Sequence, residues 1–120
     1  MEFIINLAII LLVTWFLFNR LVPTIGVVQI NTVELKKKLS EKNVKFIDVR
    51  TRNEFNQFHI PSFMNVPLHE LTKKANQLSK EVETVVICQS GMRSNKATKV
   101  LKKLGFQKIS NVKGGISKWS

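Results

Sequence analysis

The sequence is poor in several residue types, and each shortage excludes a class of protein. Only one of the 120 residues is cysteine, so no disulfide can form within the chain, as is typical of a reducing compartment. One cysteine and two histidines supply too few ligands for a zinc-type site, and we expect neither a metal nor a cofactor. Internal repeats and low-complexity tracts are also missing, which excludes a repeat architecture.

Acidic residues are scarce as well, and the chain is strongly basic. It has 19 lysines and arginines against 8 acidic residues, for a net charge of +11. The lysines are dispersed, tyrosine is absent, and no nucleic-acid-binding motif is found, so we expect no nucleic-acid partner. Such a surface suits anionic lipid headgroups or acidic proteins.

One long apolar stretch is present, at the N-terminus. Residues 3–18 are apolar except for Asn6 and Thr14, and two further apolar residues bring the stretch to about the 20 residues that a spanning helix needs. We predict a transmembrane anchor over residues 1–22, a linker over residues 23–28 and one domain over residues 29–120.

The charges around this stretch indicate its orientation. Lysine and arginine follow it, at Arg20 and residues 36–38, and none precede it. By the positive-inside rule the protein would be a single-pass membrane protein with its C-terminal domain in the cytoplasm and membrane lipids as partners of the N-terminal helix. A cleaved signal peptide is the alternative, but Glu2 and the lack of a small-residue cleavage site disfavour it.

Strand and helix patterns alternate through the rest of the chain. Short apolar runs predict strands over residues 27–30, 44–49, 65–67 and 84–88, and within 106–112. Capping boxes begin helices at Asn31 and Thr51, and apolar spacing predicts further helices over residues 68–78 and 97–104. This alternation predicts an α/β fold with a parallel sheet, whose ligands bind outside the carboxyl ends of the strands.

Cys88 stands at such a carboxyl end. Residues 89–93 form a polar turn that contains a glycine, and a helical pattern begins directly behind it. If the turn curls around the sulfur, its backbone N–H groups and the positive end of the helix favour an anion and the nucleophilic thiolate. Cys88 is therefore a candidate nucleophile, with a buried structural cysteine as the alternative.

Several motifs together resemble a single-domain rhodanese. They are FIDVR at 46–50, EF at 54–55, HIP at 59–61, NVP at 65–67, the catalytic-loop-like CQSGMRS at 88–94, and GGI at 114–116 with Trp119. The resemblance extends over about residues 29–119. Two departures are visible: Pro61, Ser62 and Phe63 stand where the family commonly has Pro-Gly-Ala, and the final helix is short.

This resemblance implies a three-layer rhodanese-like α/β fold with a five-stranded parallel sheet, and a sulfurtransferase of the thiosulfate:cyanide type. Cys88 would take a sulfane sulfur as a persulfide from a donor such as thiosulfate and pass it to a thiophilic acceptor, either cyanide, a low-molecular-weight thiol or a protein thiol. Arg93 would hold the small anionic donor, because its planar fork can bind an oxyanion bidentately. The other substrate-binding residues would be Gln89, Ser90, Gly91, Met92 and Ser94.

Four polar residues outside the loop are assigned supporting roles. We expect Asp48 to fix loop backbone, Arg50 to pair with Glu54 one turn on, and His59 to be a structural hydrogen-bonding residue. A direct part of Arg50 or His59 in the chemistry, with His59 as the base that activates the cysteine, is the alternative.

Other functions stay open. Cysteine phosphatases and arsenate reductases use a similar loop, but cysteine phosphatases have a longer spacing between cysteine and arginine than the four residues 89–92 found here, and a phosphoryl group needs that wider cradle. A membrane-tethered persulfide relay between proteins and a non-catalytic interaction module would both use the same fold. The presence of Cys88 disfavours a purely structural module.

Overall fold

The alternation of strands and helices is confirmed in a computed structural model, which describes the backbone of residues 1–21 and 26–120 and the side chains of residues 1–18 and 26–120. The helices are α1 (Glu2–Leu21), α2 (Thr32–Lys38), α3 (Arg52–Gln57), α4 (Leu71–Lys74) and α5 (Met92–Lys103). The strands are β1 (Val28–Ile30), β2 (Val44–Asp48), β3 (Phe63–Asn65), β4 (Glu83–Ile87) and β5 (Ile109–Val112). Short 3₁₀ turns cover Leu68–Glu70, Ala75–Gln77 and Gly115–Lys118.

The five strands are all parallel and form one sheet in the order β1-β5-β4-β2-β3. β4 therefore lies at the centre, next to β2, and Asp48 at the end of β2 is in register with Ile87 at the end of β4. The N–H of Val49 continues this ladder by donating to the carbonyl oxygen of Ile87 at 3.0 Å. The residues that follow β2 and β4 consequently meet at the carboxyl edge of the sheet.

Side chains of the central strand alternate between two buried clusters. Val85 and Ile87 face one cluster, which includes Leu35 of α2, while Val86 and Cys88 face the other, which includes Leu101 of α5. Such period-two alternation is what a strand covered by helices on both faces requires. The result is the expected three-layer arrangement, with Cys88 continuing the inward pattern towards α5.

Both predicted capping boxes are present. The side chain of Asn31 accepts from the N–H of Glu34 at 2.8 Å, and Thr51 and Glu54 form the equivalent pair at the start of α3. By contrast, residues 68–78 are not one continuous α-helix, because 3₁₀ turns flank the short α4. Apolar residues three apart, such as Leu68 and Leu71, line up in a 3₁₀ turn as well as in an α-helix. The spacing therefore predicts an α-helix where part of the segment is 3₁₀.

The turn before β3 accounts for one departure from the rhodanese pattern. Ser62 has φ +84°, in the left-handed region that favours glycine. It occupies the position at which the family commonly has glycine, so the backbone keeps that conformation despite the substitution.

The N-terminal stretch forms a helix, but the prediction of a transmembrane helix over residues 1–22 is not supported. Among residues 1–21 and 26–120, no helix combines the length and the apolar character that a membrane crossing requires. Position 22 and the first half of the predicted linker, residues 23–25, lie outside the described residues. The rest of that linker holds a turn at Gly26 and the beginning of β1.

Candidate active site

Cys88 is the first residue after β4 and is 1% exposed. Its Sγ accepts a hydrogen bond from the N–H of Gly91 at 2.9 Å. The thiol in turn donates to Oγ of Ser94 at 3.3 Å, and that hydroxyl donates to the carbonyl oxygen of Gly91 at 3.1 Å. The sulfur thus lies against the first turn of α5, held by groups of its own loop.

Gly91 gives this loop its shape. It is the residue before α5 and has φ +106°, a conformation that a residue with a Cβ rarely adopts. The resulting turn directs the Gly91 N–H back to the sulfur. A negatively charged sulfur accepts such a bond more strongly than a neutral one, and the N-terminal end of the 12-residue helix adds a favourable field.

The residues after Gly114 support the cysteine loop, a role that the sequence patterns do not predict. The N–H of Ile116 donates to the carbonyl oxygen of Cys88 at 2.8 Å, and that of Ser117 donates to the carbonyl oxygen of Gln89 at 3.0 Å. Gly115 has φ +57°, and a Cβ there would collide with the Cys88 carbonyl group. In the sequence, the adjacent residues Gly114 and Gly115 are the pattern that indicates such a close approach.

Asp48 and Arg50 form a buried pair beneath the loop. Asp48 accepts from the backbone N–H of Arg50 and from Nε, each at 3.0 Å, so it fixes loop backbone as expected. Nη1 of Arg50 also reaches Oε1 of Gln89 at 3.2 Å, and Nη2 reaches the carbonyl oxygen of Phe58 at 2.6 Å. The guanidinium therefore ties β2 to both the cysteine loop and the end of α3.

The predicted pairing of Arg50 with Glu54 is wrong. Arg50 and Asp48 are 2% and 0% exposed, and a guanidinium buried to that degree needs a buried counter-charge. Asp48, two residues earlier on the same face of the strand end, supplies it. Glu54 instead pairs with Arg93, whose Nη1 and Nη2 lie 2.6 and 2.9 Å from its two carboxylate oxygens.

His59 follows the end of α3, away from the hydrogen bonds of the cysteine loop. Its ring stacks on Phe55 with 3.8 Å between centroids, and Nδ1 is 2.9 Å from the carbonyl oxygen of Phe55. These contacts fit the structural role that the sequence predicts for it.

The remaining loop residues face outwards. Ser90 is exposed, and Met92, which is 66% exposed, lines a cavity of about 650 Å³ together with Arg93. Its other walls are Leu68, Asn95, Lys96 and Lys99, with Trp15 and Phe16 from α1. The structure therefore places α1 beside the loop, which the sequence patterns did not indicate.

The fold and the loop define a class: α/β proteins that hold a cysteine in a glycine-containing loop at the carboxyl edge of a parallel sheet. A family model described as "Rhodanese-like domain" matches residues 31–120. The chain belongs to the rhodanese-like domain family, the family of the rhodanese-type sulfurtransferases.

Individual relatives agree with this assignment. The chain is 38% identical to a putative sulfur carrier protein of Bacillus subtilis, YrkF, over 77% of the chain but only 50% of that protein. It is 30% identical to a sulfurtransferase of Allochromatium vinosum, over 77% of the chain and 87% of that protein. A rhodanese-like domain protein from Staphylococcus aureus, known from its crystal structure, superimposes with a TM-score of 0.72 at 34% identity, over 78% of this chain and 91% of that one.

Proposed function

We propose that this protein transfers a sulfane sulfur from a small donor such as thiosulfate to a thiophilic acceptor through a persulfide on Cys88. The observation that carries the proposal is the hydrogen bond from the Gly91 N–H to Sγ at the start of α5. The same N–H can serve the terminal sulfur of a persulfide, because that atom bears the negative charge after transfer.

The reaction balances with thiosulfate and cyanide alone. The Cys88 thiolate attacks the sulfane sulfur, the sulfur–sulfur bond of thiosulfate breaks, and sulfite leaves with the electron pair. The product is the Cys88 persulfide anion. Cyanide then attacks the terminal sulfur, thiocyanate forms, and the thiolate of Cys88 is regenerated.

Mass spectrometry of the full chain tests this proposal. After treatment with thiosulfate we expect one added sulfur atom on Cys88, removed by cyanide with release of thiocyanate. The Cys88→Ser variant should show neither. A phosphoryl adduct formed from an aryl phosphate, with no added sulfur, would favour the phosphatase alternative, and thiocyanate release by the serine variant at the wild-type rate would refute the role of Cys88.

A relay to a protein thiol is the second candidate. The relative from Bacillus subtilis is named a putative sulfur carrier protein, and the cavity beside Arg93 is lined by basic and aromatic side chains, the kind that acidic partner proteins contact. An experiment that loads Cys88 with radioactive sulfur and then adds cell extract distinguishes the protein relay from the small-molecule enzyme. Label on protein supports the relay, and label on small thiols supports the small-molecule enzyme.

The place of this reaction is a proposal as well. We place the domain at the cytoplasmic face of a membrane. The supporting observation is that the side chains of residues 1–18 are exposed and mostly apolar, for example Phe3 at 78% and Leu12 at 64%.

A further inference from the structure

Arg93, the residue expected to hold an anionic donor, is already bound to a carboxylate. Its two Nη atoms face the two carboxylate oxygens of Glu54 at 2.6 and 2.9 Å. This is the bidentate geometry in which arginine also binds the oxyanions of ligands. An incoming anion therefore meets a guanidinium whose positive charge is compensated.

Glu54 cannot easily leave this position. Its Oε1 also accepts from the backbone N–H of Thr51 at 3.1 Å and from Oγ1 of Thr51 at 2.9 Å. These bonds are part of the capping box that begins α3. Moving the carboxylate away from Arg93 would break that cap, so Glu54 is a fixed part of the loop surroundings.

The second charged pair near the sulfur is compensated too. Arg50 lies 2.9 Å from its counter-charge Asp48, and both are buried. Arg93 stands next to Ser94 in the first turn of α5, and Oγ of Ser94 lies 3.3 Å from Sγ of Cys88, so the pair of Arg93 and Glu54 borders the sulfur. Lys96 and Lys99, further along α5, line the same cavity as Arg93.

We infer that Glu54 is a specificity-determining residue that disfavours doubly charged donors such as thiosulfate relative to donors with one negative charge, namely low-molecular-weight alkyl hydropersulfides. The electrostatic penalty from a fixed carboxylate is proportional to the charge of the donor. With the anion of a hydropersulfide, the Cys88 thiolate attacks the terminal sulfur, the sulfur–sulfur bond breaks, an alkyl thiolate leaves with the electron pair, and the persulfide anion remains on Cys88. The inference rests on the proposed function and names the substrate class of the same site.

Glu54→Gln in the full chain tests the inference. Glutamine also completes a capping box, so α3 keeps its start. With thiosulfate we expect KM to fall about tenfold, and with 2-hydroxyethyl hydropersulfide about threefold, because the effect on the logarithm of KM doubles with the donor charge. Added salt should shrink both changes. In mildly alkaline buffer, where sulfite is mostly a dianion, its inhibition constant should fall in step with the KM of thiosulfate.

Glu83→Gln is the matched control. Glu83 forms an ion pair of similar exposure with Lys38, at 2.6 Å, and it begins β4, at the opposite end of the strand from Cys88. The Glu83→Gln variant should leave the ratio of the KM for thiosulfate to the KM for the hydropersulfide unchanged. Equal changes for both donors in the Glu54 variant, or an unchanged or higher KM for thiosulfate, would overturn the inference alone. A wild-type protein that forms no persulfide from either donor would overturn the proposed function, and the inference with it.

Discussion

The ionisation of Glu54 shows how strongly one side chain depends on its partners. Hydrogen bonds from Arg93, and secondarily from Thr51, lower the pKa of the Glu54 carboxyl to about 2, although partial burial acts in the other direction. The pKa of the Arg93 guanidinium is raised, chiefly by its hydrogen bond to Glu54. The pair is therefore fully charged at any pH near neutrality.

This pairing predicts a loss of stability in acid. A carboxyl whose pKa is lowered by folding stabilises the native state above its unfolded pKa, near 4.5, and loses that contribution as pH falls towards about 2. We expect Glu54→Gln to reduce the free energy of unfolding by about 1 kcal/mol at pH 7, after allowance for solvent screening of this partly exposed pair, and by much less at pH 2.5, where protonation of the folded carboxyl has begun. Urea unfolding across this range provides the measurement.

Arg93→Gln provides the control for that experiment. In its background, removing the Glu54 charge should have a much smaller effect at pH 7, since the partner is gone. An acid dependence that persists undiminished in the double variant would show that another group is responsible.

At the level of single residues, the sequence identified the members of the site better than their partners. Cys88 could be singled out because an apolar strand, a glycine-containing turn and a helix start are local patterns. The partners of Arg50 and of Glu54 could not be predicted correctly, because they depend on which guanidinium the fold buries. Arg50 lies under the loop and Arg93 at its surface, 39 residues from Glu54 in the chain.

At the level of elements, the 3₁₀ turn Gly115–Lys118 acts as a brace for the cysteine loop. Two of its backbone N–H groups donate to the carbonyl oxygens of Cys88 and Gln89. This contact requires the backbone of the turn to approach the loop more closely than a side chain would allow. The strands and capped helices followed from local pattern, whereas this brace depends on a contact between distant segments.

Gly115→Ala should therefore disrupt the loop. The added Cβ would meet the Cys88 carbonyl group in a backbone conformation that is itself unfavourable, and we expect a loss of at least about 2 kcal/mol in the free energy of unfolding together with slower persulfide formation. Urea unfolding and single-turnover sulfur loading measure the two effects.

Gly105→Ala is the matched control for the collision. Gly105 also has a positive φ, +96°, but the nearest atom to its added Cβ is Cδ of Lys80 at 3.8 Å, an ordinary contact. The Gly105→Ala substitution should lower the free energy of unfolding only by the cost of the unfavourable backbone conformation, about 1 kcal/mol, and sulfur loading should be normal. Equal effects of the two substitutions would show that the brace is not under steric constraint.

At the level of the whole molecule, α1 has most of its apolar surface uncovered, while the domain that follows has its own core on both faces of the sheet. If α1 holds the protein at a membrane, the full chain should sediment with membranes and be released by detergent. Replacing Ile9 and Leu12, which are 54% and 64% exposed, by lysine should move it to the supernatant. Wild-type protein found only in the supernatant would contradict the proposed location.

The pairing of β1 with β5 bears on how the chain folds during synthesis. Gln29 and Asn111 share a hydrogen bond across 82 residues, and the brace of the cysteine loop follows β5 in the chain. Contacts between such distant segments form late, because the intervening chain must first be ordered. On the ribosome, the sheet can close only after residues 109–112 emerge, and the loop around Cys88 gains its last support from residues 116 and 117. A nascent chain therefore carries an incompletely supported cysteine until nearly the whole domain has been made.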